Sequence, residues 1–125
     1  MTPEAAVYRF FSGFGIDAYA STSVPDNRPF PYITYDLTIP GELDDGEAMM
    51  TANVWYRTDS EAVPNAKVRE IGQRIGRGGI TLRCDGGMLW LKRGTPWAQA
   101  VNISGADEKV KRRYLNIDIE YLTTE

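Results

Sequence analysis

The segment Tyr114-Leu115-Asn116-Ile117-Asp118-Ile119-Glu120-Tyr121 constrains the fold of this chain more than any other. Leu115, Ile117, Ile119 and Tyr121 alternate with Tyr114, Asn116, Asp118 and Glu120. In a strand, successive side chains point to opposite faces, so this is a β-strand with one apolar and one wet face. A strand over Val110 to Thr123 must pair on both sides or sit at a sheet edge. The rest of the chain therefore has to supply strands in register with it.

Four further segments carry the same period. Tyr32 to Thr38 places Ile33, Tyr35 and Leu37 on one face and Tyr32, Thr34 and Asp36 on the other. Glu47 to Arg57 opposes Met50, Ala52, Val54 and Tyr56 to Met49, Thr51, Asn53 and Trp55. Large residues on both its faces predict a place in the sheet interior or at a subunit contact. Ile80 to Cys84 and Met88 to Arg93 flank Asp85-Gly86-Gly87, a hairpin signal. Ile16 to Ser21 and Trp97 to Ile103 are candidates for two shorter strands, the latter after Gly94-Thr95-Pro96.

Two segments have helical spacing. Thr2 is an N-cap, Pro3 occupies the first helical position and Glu4 lies at the positive end of the dipole. Val7, Phe10, Phe11 and Phe14 follow at i, i+3, i+4 and i+7, an aromatic stripe expected to enter the core. Thr58-x-x-Glu61 has the form of a capping box. Pro64 falls inside the helix such a box would start, so the second helix is expected to begin near Pro64 or Asn65. Its inner stripe is Val68, Ile71 and Ile75, and it stops at Gly76-Arg77-Gly78-Gly79. The result is an α+β domain over residues 1–125, with a mixed, largely antiparallel sheet and two helices on one face. The expected order is α-β-β-α-β-β-β, with one optional further strand.

The 125 residues include one cysteine and no histidine. Cys84 has no intrachain partner, and a nucleophile would lack its commonest base. The net charge of −3 and pI near 5.0 argue against a general nucleic-acid binder. The first residues lack the pattern of a leader, and no window suits a membrane span, so the cytoplasm is the expected compartment and the Asn102-Ile103-Ser104 sequon has no secretory use. Gly72-x-x-x-Gly76-x-Gly78-Gly79 lies after a helix, whereas a phosphate cradle precedes one. No catalytic residue, metal ligand or cofactor site is expected. The remaining carboxylate option is acid–base or metal chemistry on Asp118 and Glu120, opposed by the plainer reading of a solvated strand face.

The surface offers candidates for contacts. Glu42, Asp44 and Asp45 form an acidic stretch between two patterned strands. Lys109, Lys111, Arg112 and Arg113 form the basic cluster, which can be solvated, meet nucleic acid or meet the acidic stretch of a neighbouring subunit. Trp55, Trp90 and Trp97 are core residues or contact aromatics, a class enriched in protein interfaces.

Phe30-Pro31-Tyr32-Ile33-Thr34-Tyr35, then Val54-Trp55-Tyr56-Arg57-Thr58-Asp59-Ser60, then the strand Arg113 to Tyr121, in this order around a helix and a hairpin, resemble the tail-terminator proteins of long-tailed bacteriophages and prophages. These are also called tail-completion or head–tail joining proteins. The resemblance implies a non-enzymatic structural protein that forms a ring, commonly a hexamer. It caps the tail tube and joins tail to head. It implies as partners other copies of itself, the tail tube protein and the head–tail connector protein, with DNA passing through the lumen without specific binding and no membrane. Its expected place is the host cytoplasm during assembly and the virion thereafter. A head-side connector of the same joint is the neighbouring alternative. The resemblance transfers no individual site residue. The expected subunit or tube contacts are Glu42, Asp44, Asp45, Trp55, Arg57, Asp85, Gly86, Lys111, Arg112 and Arg113.

Overall fold

The computed structural model describes residues 1–38, 47–101 and 107–123. Helix α1 spans Pro3–Phe11 and runs into a 3₁₀ turn at Ser12–Phe14. Strands β1 (Asp17–Ala20), β2 (Tyr32–Thr38) and β3 (Glu47–Arg57) precede helix α2 (Ala62–Ile75). Strands β4 (Ile80–Cys84), β5 (Gly87–Val101) and β6 (Val110–Thr123) follow it. The described strands form one sheet in the order β1-β2-β3-β6-β5-β4. Among the described strands only β1 and β2 run parallel, so the sheet is mixed and largely antiparallel. The short strand expected near Ile16 to Ser21 is real, and three strands rather than two precede the second helix.

The α1 N-terminus forms as its sequence dictates. Thr2 Oγ1 accepts from the Ala5 amide at 3.1 Å, and Pro3 stands where a missing N–H costs nothing. The stripe Val7, Phe10, Phe11 and Phe14 is buried. Phe11 stacks on Tyr35 of β2 at 5.0 Å, and Phe10 meets Phe11 and Phe14 edge-on. Helix α1 packs against both outer strands, β1 and β4. Helix α2 presents Val68, Ile71 and Ile75, all buried, to β3, β5 and β6. Gly72 lets the Trp97 indole lie against α2, since a Cβ there would stand 2.9 Å from Trp97 Nε1. Ile33, Tyr35, Ala52, Val54, Leu89, Leu91, Leu115, Ile117 and Ile119 complete the core beneath the helices.

Two local expectations change, the start of the second helix and the break at Gly94-Thr95-Pro96. Helix α2 starts at Ala62, two residues before Pro64. The first amides of a helix have no intrahelical acceptor, so proline in the first turn removes no bond. The capping box does not form: Thr58 Oγ1 accepts from the Ser60 amide, and Glu61 turns to β6. Gly94-Thr95-Pro96 does not end a strand. β5 continues from Gly87 to Val101 with a register shift between Arg93 and Ala98. Gly94 permits this irregularity, because a Cβ there would meet Asn116 at 2.8 Å, and Asn116 Nδ2 donates to the Pro96 carbonyl at 2.9 Å. Ile103, Asn102 and Ser104 lie outside the described residues.

Candidate interaction surface

Strand alternation leaves one face of the sheet without a helix. At one end of that face, β2, β3 and β6 bring Tyr32, Trp55, Arg112 and Tyr114 together. Tyr32 stands opposite Trp55, and Trp55 opposite Arg112. The Tyr32 and Trp55 rings stack at 5.9 Å with planes 16° apart. The Arg112 guanidinium lies 5.2 Å from the Trp55 ring centre and 5.9 Å from that of Tyr114. Arg28, from the loop before β2, covers Tyr32 at 5.0 Å, and Phe30 leans on the same ring. Tyr32 is thereby only 1% exposed although no helix covers it.

Hydrogen bonds fix the cluster. Trp55 Nε1 donates to Thr34 Oγ1 at 2.9 Å, and Arg112 Nε donates to Asn53 Oδ1 at 2.6 Å. Thr34 and Asn53 are buried, so each needs these partners. The outcome is a rigid aromatic–arginine platform of the composition that anchors protein contacts. Arg57 shares this face and is held by Asp107 at 2.9 Å. The guanidinium of Arg57, with the Lys109 amide, holds the Asp107 carboxyl below the usual carboxylate range.

The basic cluster is divided by the same alternation. Arg112 joins the platform, whereas Lys111 and Arg113 face α2. There they converge on Glu61, Lys111 at 3.7 Å and Arg113 through a direct hydrogen bond. Arg113 is 6% exposed and also donates to Asn65 Oδ1 at 2.9 Å. The hydrogen bond from Arg113, then the two positive charges, holds the Glu61 carboxyl below the ordinary glutamate range. Lys109 lies 3.8 Å from Asp59. Much of the predicted basic patch is thus paired within the chain.

Asp85 and Gly86 form the β4–β5 turn at the other end of the sheet, with Gly86 at φ +82°. Asp85 binds the Met1 ammonium at 2.8 Å, its amide donates to the Met1 carbonyl at 2.7 Å, and Tyr121 Oη donates to its carbonyl at 2.7 Å. Glu42, Asp44 and Asp45 lie outside the described residues. The strand that follows them begins with Glu47 opposite Glu120 and ends with Arg57 opposite Val110. Glu47, the first described residue after them, therefore stands at the end of the sheet away from the basic cluster. Ten residue steps of a strand separate these ends, about 33 Å.

The remaining candidates fall elsewhere. Asp118 and Glu120 are exposed on the helix-free face, Glu120 4.0 Å from Lys92. No group of three metal-ligating side chains occurs among the described residues. Trp90 braces the turn before β4 by donating to the Gly78 carbonyl at 2.9 Å. Trp97 packs against the core. Cys84 is partly buried, and burial together with the charge of Asp85 pushes its thiol up. A raised thiol is a poor nucleophile at neutral pH.

One feature escaped the sequence entirely. Between α1 and β4 lies an open groove of about 650 Å³, lined by Arg9, Arg74 and Arg83 with Ala6, Phe10 and Leu82. Its cations come from three separate elements, so no local run of charge announces it.

No family and no curated protein matches the chain in sequence. The fold does have a counterpart. A chain in the virion of a native gene transfer agent (GTA) particle superposes with a TM-score of 0.70 at 19% sequence identity. The match covers 96% of this chain and 94% of that one. The similarity is one of fold, and it extends over the whole domain.

Proposed function

We propose that this protein is a non-enzymatic structural component of a phage-like virion. In this reading it is a tail terminator: a ring, the hexamer usual for such proteins, that caps the tail tube and joins it to the head. The observation that carries the reading is the full-length fold similarity to a chain of the gene transfer agent virion. The order of strand motifs around Tyr32, Trp55 and Tyr114 supports the same class. The partners are further copies of the chain, the tube protein and the head-side connector protein. The Tyr32–Trp55–Arg112 platform and the Asp85-Gly86 turn are the contact surfaces. Assembly takes place in the host cytoplasm. DNA crosses the lumen without specific binding, which an acidic chain of net charge −3 favours through repulsion of phosphate.

A terminator stops tube growth. Tube protein polymerised with increasing amounts of this chain should give shorter tubes of defined length, with added density at one end by electron microscopy. Tubes of unchanged length with bare ends would refute the reading.

A further inference from the structure

We propose that the groove between α1 and β4 is the socket for the acidic segment of a second copy of the chain. This inference rests on the ring reading above. The segment is Gly41-Glu42-Leu43-Asp44-Asp45-Gly46, with three carboxylates in the four residues Glu42 to Asp45.

Three observations support the pairing. The first is charge. Arg9, Arg74 and Arg83 line the groove, and its one lining carboxylate, Asp85, is engaged by the Met1 ammonium. Among the described residues, Arg9 and Arg83 have no ion pair, and Arg74 has only the Phe14 ring at 4.8 Å. Unopposed cations on one copy meet a surplus of carboxylates on the next, and such complementarity fixes register between surfaces. The basic cluster at Lys109 to Arg113 is the weaker acceptor, because Glu61, Asp59 and Asn53 already occupy it.

The second is the backbone. β4 is an outer strand that pairs only with β5, so part of its main chain is left without a sheet partner. The Met1 carbonyl already takes the Asp85 amide beside it. An extended acidic segment can continue this use of the edge, while Leu43 reaches the apolar floor of Ala6, Phe10 and Leu82.

The third is height along the sheet. Cys84 stands opposite Gly87, Gly87 opposite Thr123, and Glu47 opposite Glu120. The groove and Glu47, the first described residue after the acidic segment, therefore lie at the same end of the strands. Copies related by rotation about an axis along the strands keep that height, so the segment of one copy meets the groove of the next. Two different surfaces in contact make a heterologous interface, the kind that closes into a ring.

The test uses the full chain carrying Asp44→Lys and Asp45→Lys, so that its own segment does not compete. A fluorescent peptide of residues 41–46 is titrated against it. We expect saturable binding that weakens at least tenfold when Arg9→Glu and Arg83→Glu are added and that falls with added salt. If the double glutamate variant melts early, Arg9→Gln with Arg83→Gln replaces it. In the otherwise wild-type chain, Arg9→Glu with Arg83→Glu should disperse the ring, and adding Asp44→Lys with Asp45→Lys should restore it. Absence of peptide binding, binding indifferent to Arg9 and Arg83, or arginine-dependent binding of duplex DNA in place of the peptide would overturn the proposal. A ring that forms unchanged with Arg9→Glu and Arg83→Glu overturns the socket and leaves the ring reading intact. A wild-type chain that never assembles overturns the ring reading, and the peptide titration still decides the socket.

Discussion

The two faces of the sheet are built from the same strands and do different things. Beneath the helices, Leu115, Ile117 and Ile119 of β6 join Val54, Leu89, Leu91 and the phenylalanines of α1 in a dry core. On the other face the intervening residues Arg112, Tyr114, Asn116, Asp118 and Glu120 run from an aromatic–arginine platform to exposed carboxylates. The first face buys stability through apolar area removed from water. The second has no helix to cover it, yet Tyr32, Thr34 and Asn53 are buried there, Tyr32 against Arg28 and Trp55, Thr34 and Asn53 bonded to Trp55 and Arg112. Trp55 and Tyr114 stay half-buried beside them, and aromatics held this way are prepared for contact at little further ordering cost.

The difference can be broken by substitution. Leu115 is fully buried, and Leu115→Ala should destabilise the fold by about 2–5 kcal/mol. Chemical denaturation would read this as a lower midpoint with an unchanged slope. Trp55→Ala removes one stacked pair and one hydrogen bond on the open face, and should cost less, about 1–2 kcal/mol. Equal losses at the two positions would mean that the open face is a second core.

The smallest expected effect concerns acid. The carboxyls of Glu61 and Asp107 titrate below their ordinary ranges because Arg113 and Arg57 bond to the charged forms. Their contribution is therefore fully present above the ordinary carboxylate range and is lost as pH falls through the lowered values. Both carboxyls are well exposed, so solvent screens the effect. Melting temperature should fall modestly between neutral pH and pH 3, and Glu61→Gln should reduce that fall. A Glu61→Gln chain with an unaltered acid profile would remove Glu61 from this account.

Much of the fold was legible because alternation and helical spacing are local. The limits of β2, β3, β4 and β6 follow from period-2 runs, and the stripe Val7, Phe10, Phe11, Phe14 announced its burial. β5 was not legible as one strand, because its irregularity depends on Gly94 approaching Asn116, a contact across the sheet. The start of α2 was misplaced because Pro64 lies in the first turn, where it breaks no bond. The basic run looked like a single patch, yet neighbours in a strand face opposite ways, which sends Arg112 and Arg113 to different partners. The arginine groove was invisible because Arg9, Arg74 and Arg83 reach its lining from three separate elements.

The most direct test is sedimentation of the wild-type and Trp55→Ala chains, each alone and mixed with tail tube protein, over a wide concentration range. The account predicts a ring-sized species for the wild type that is lost or weakened in Trp55→Ala, although the variant remains folded. A wild type that stays monomeric throughout, or a Trp55→Ala chain that assembles as the wild type does, would contradict it.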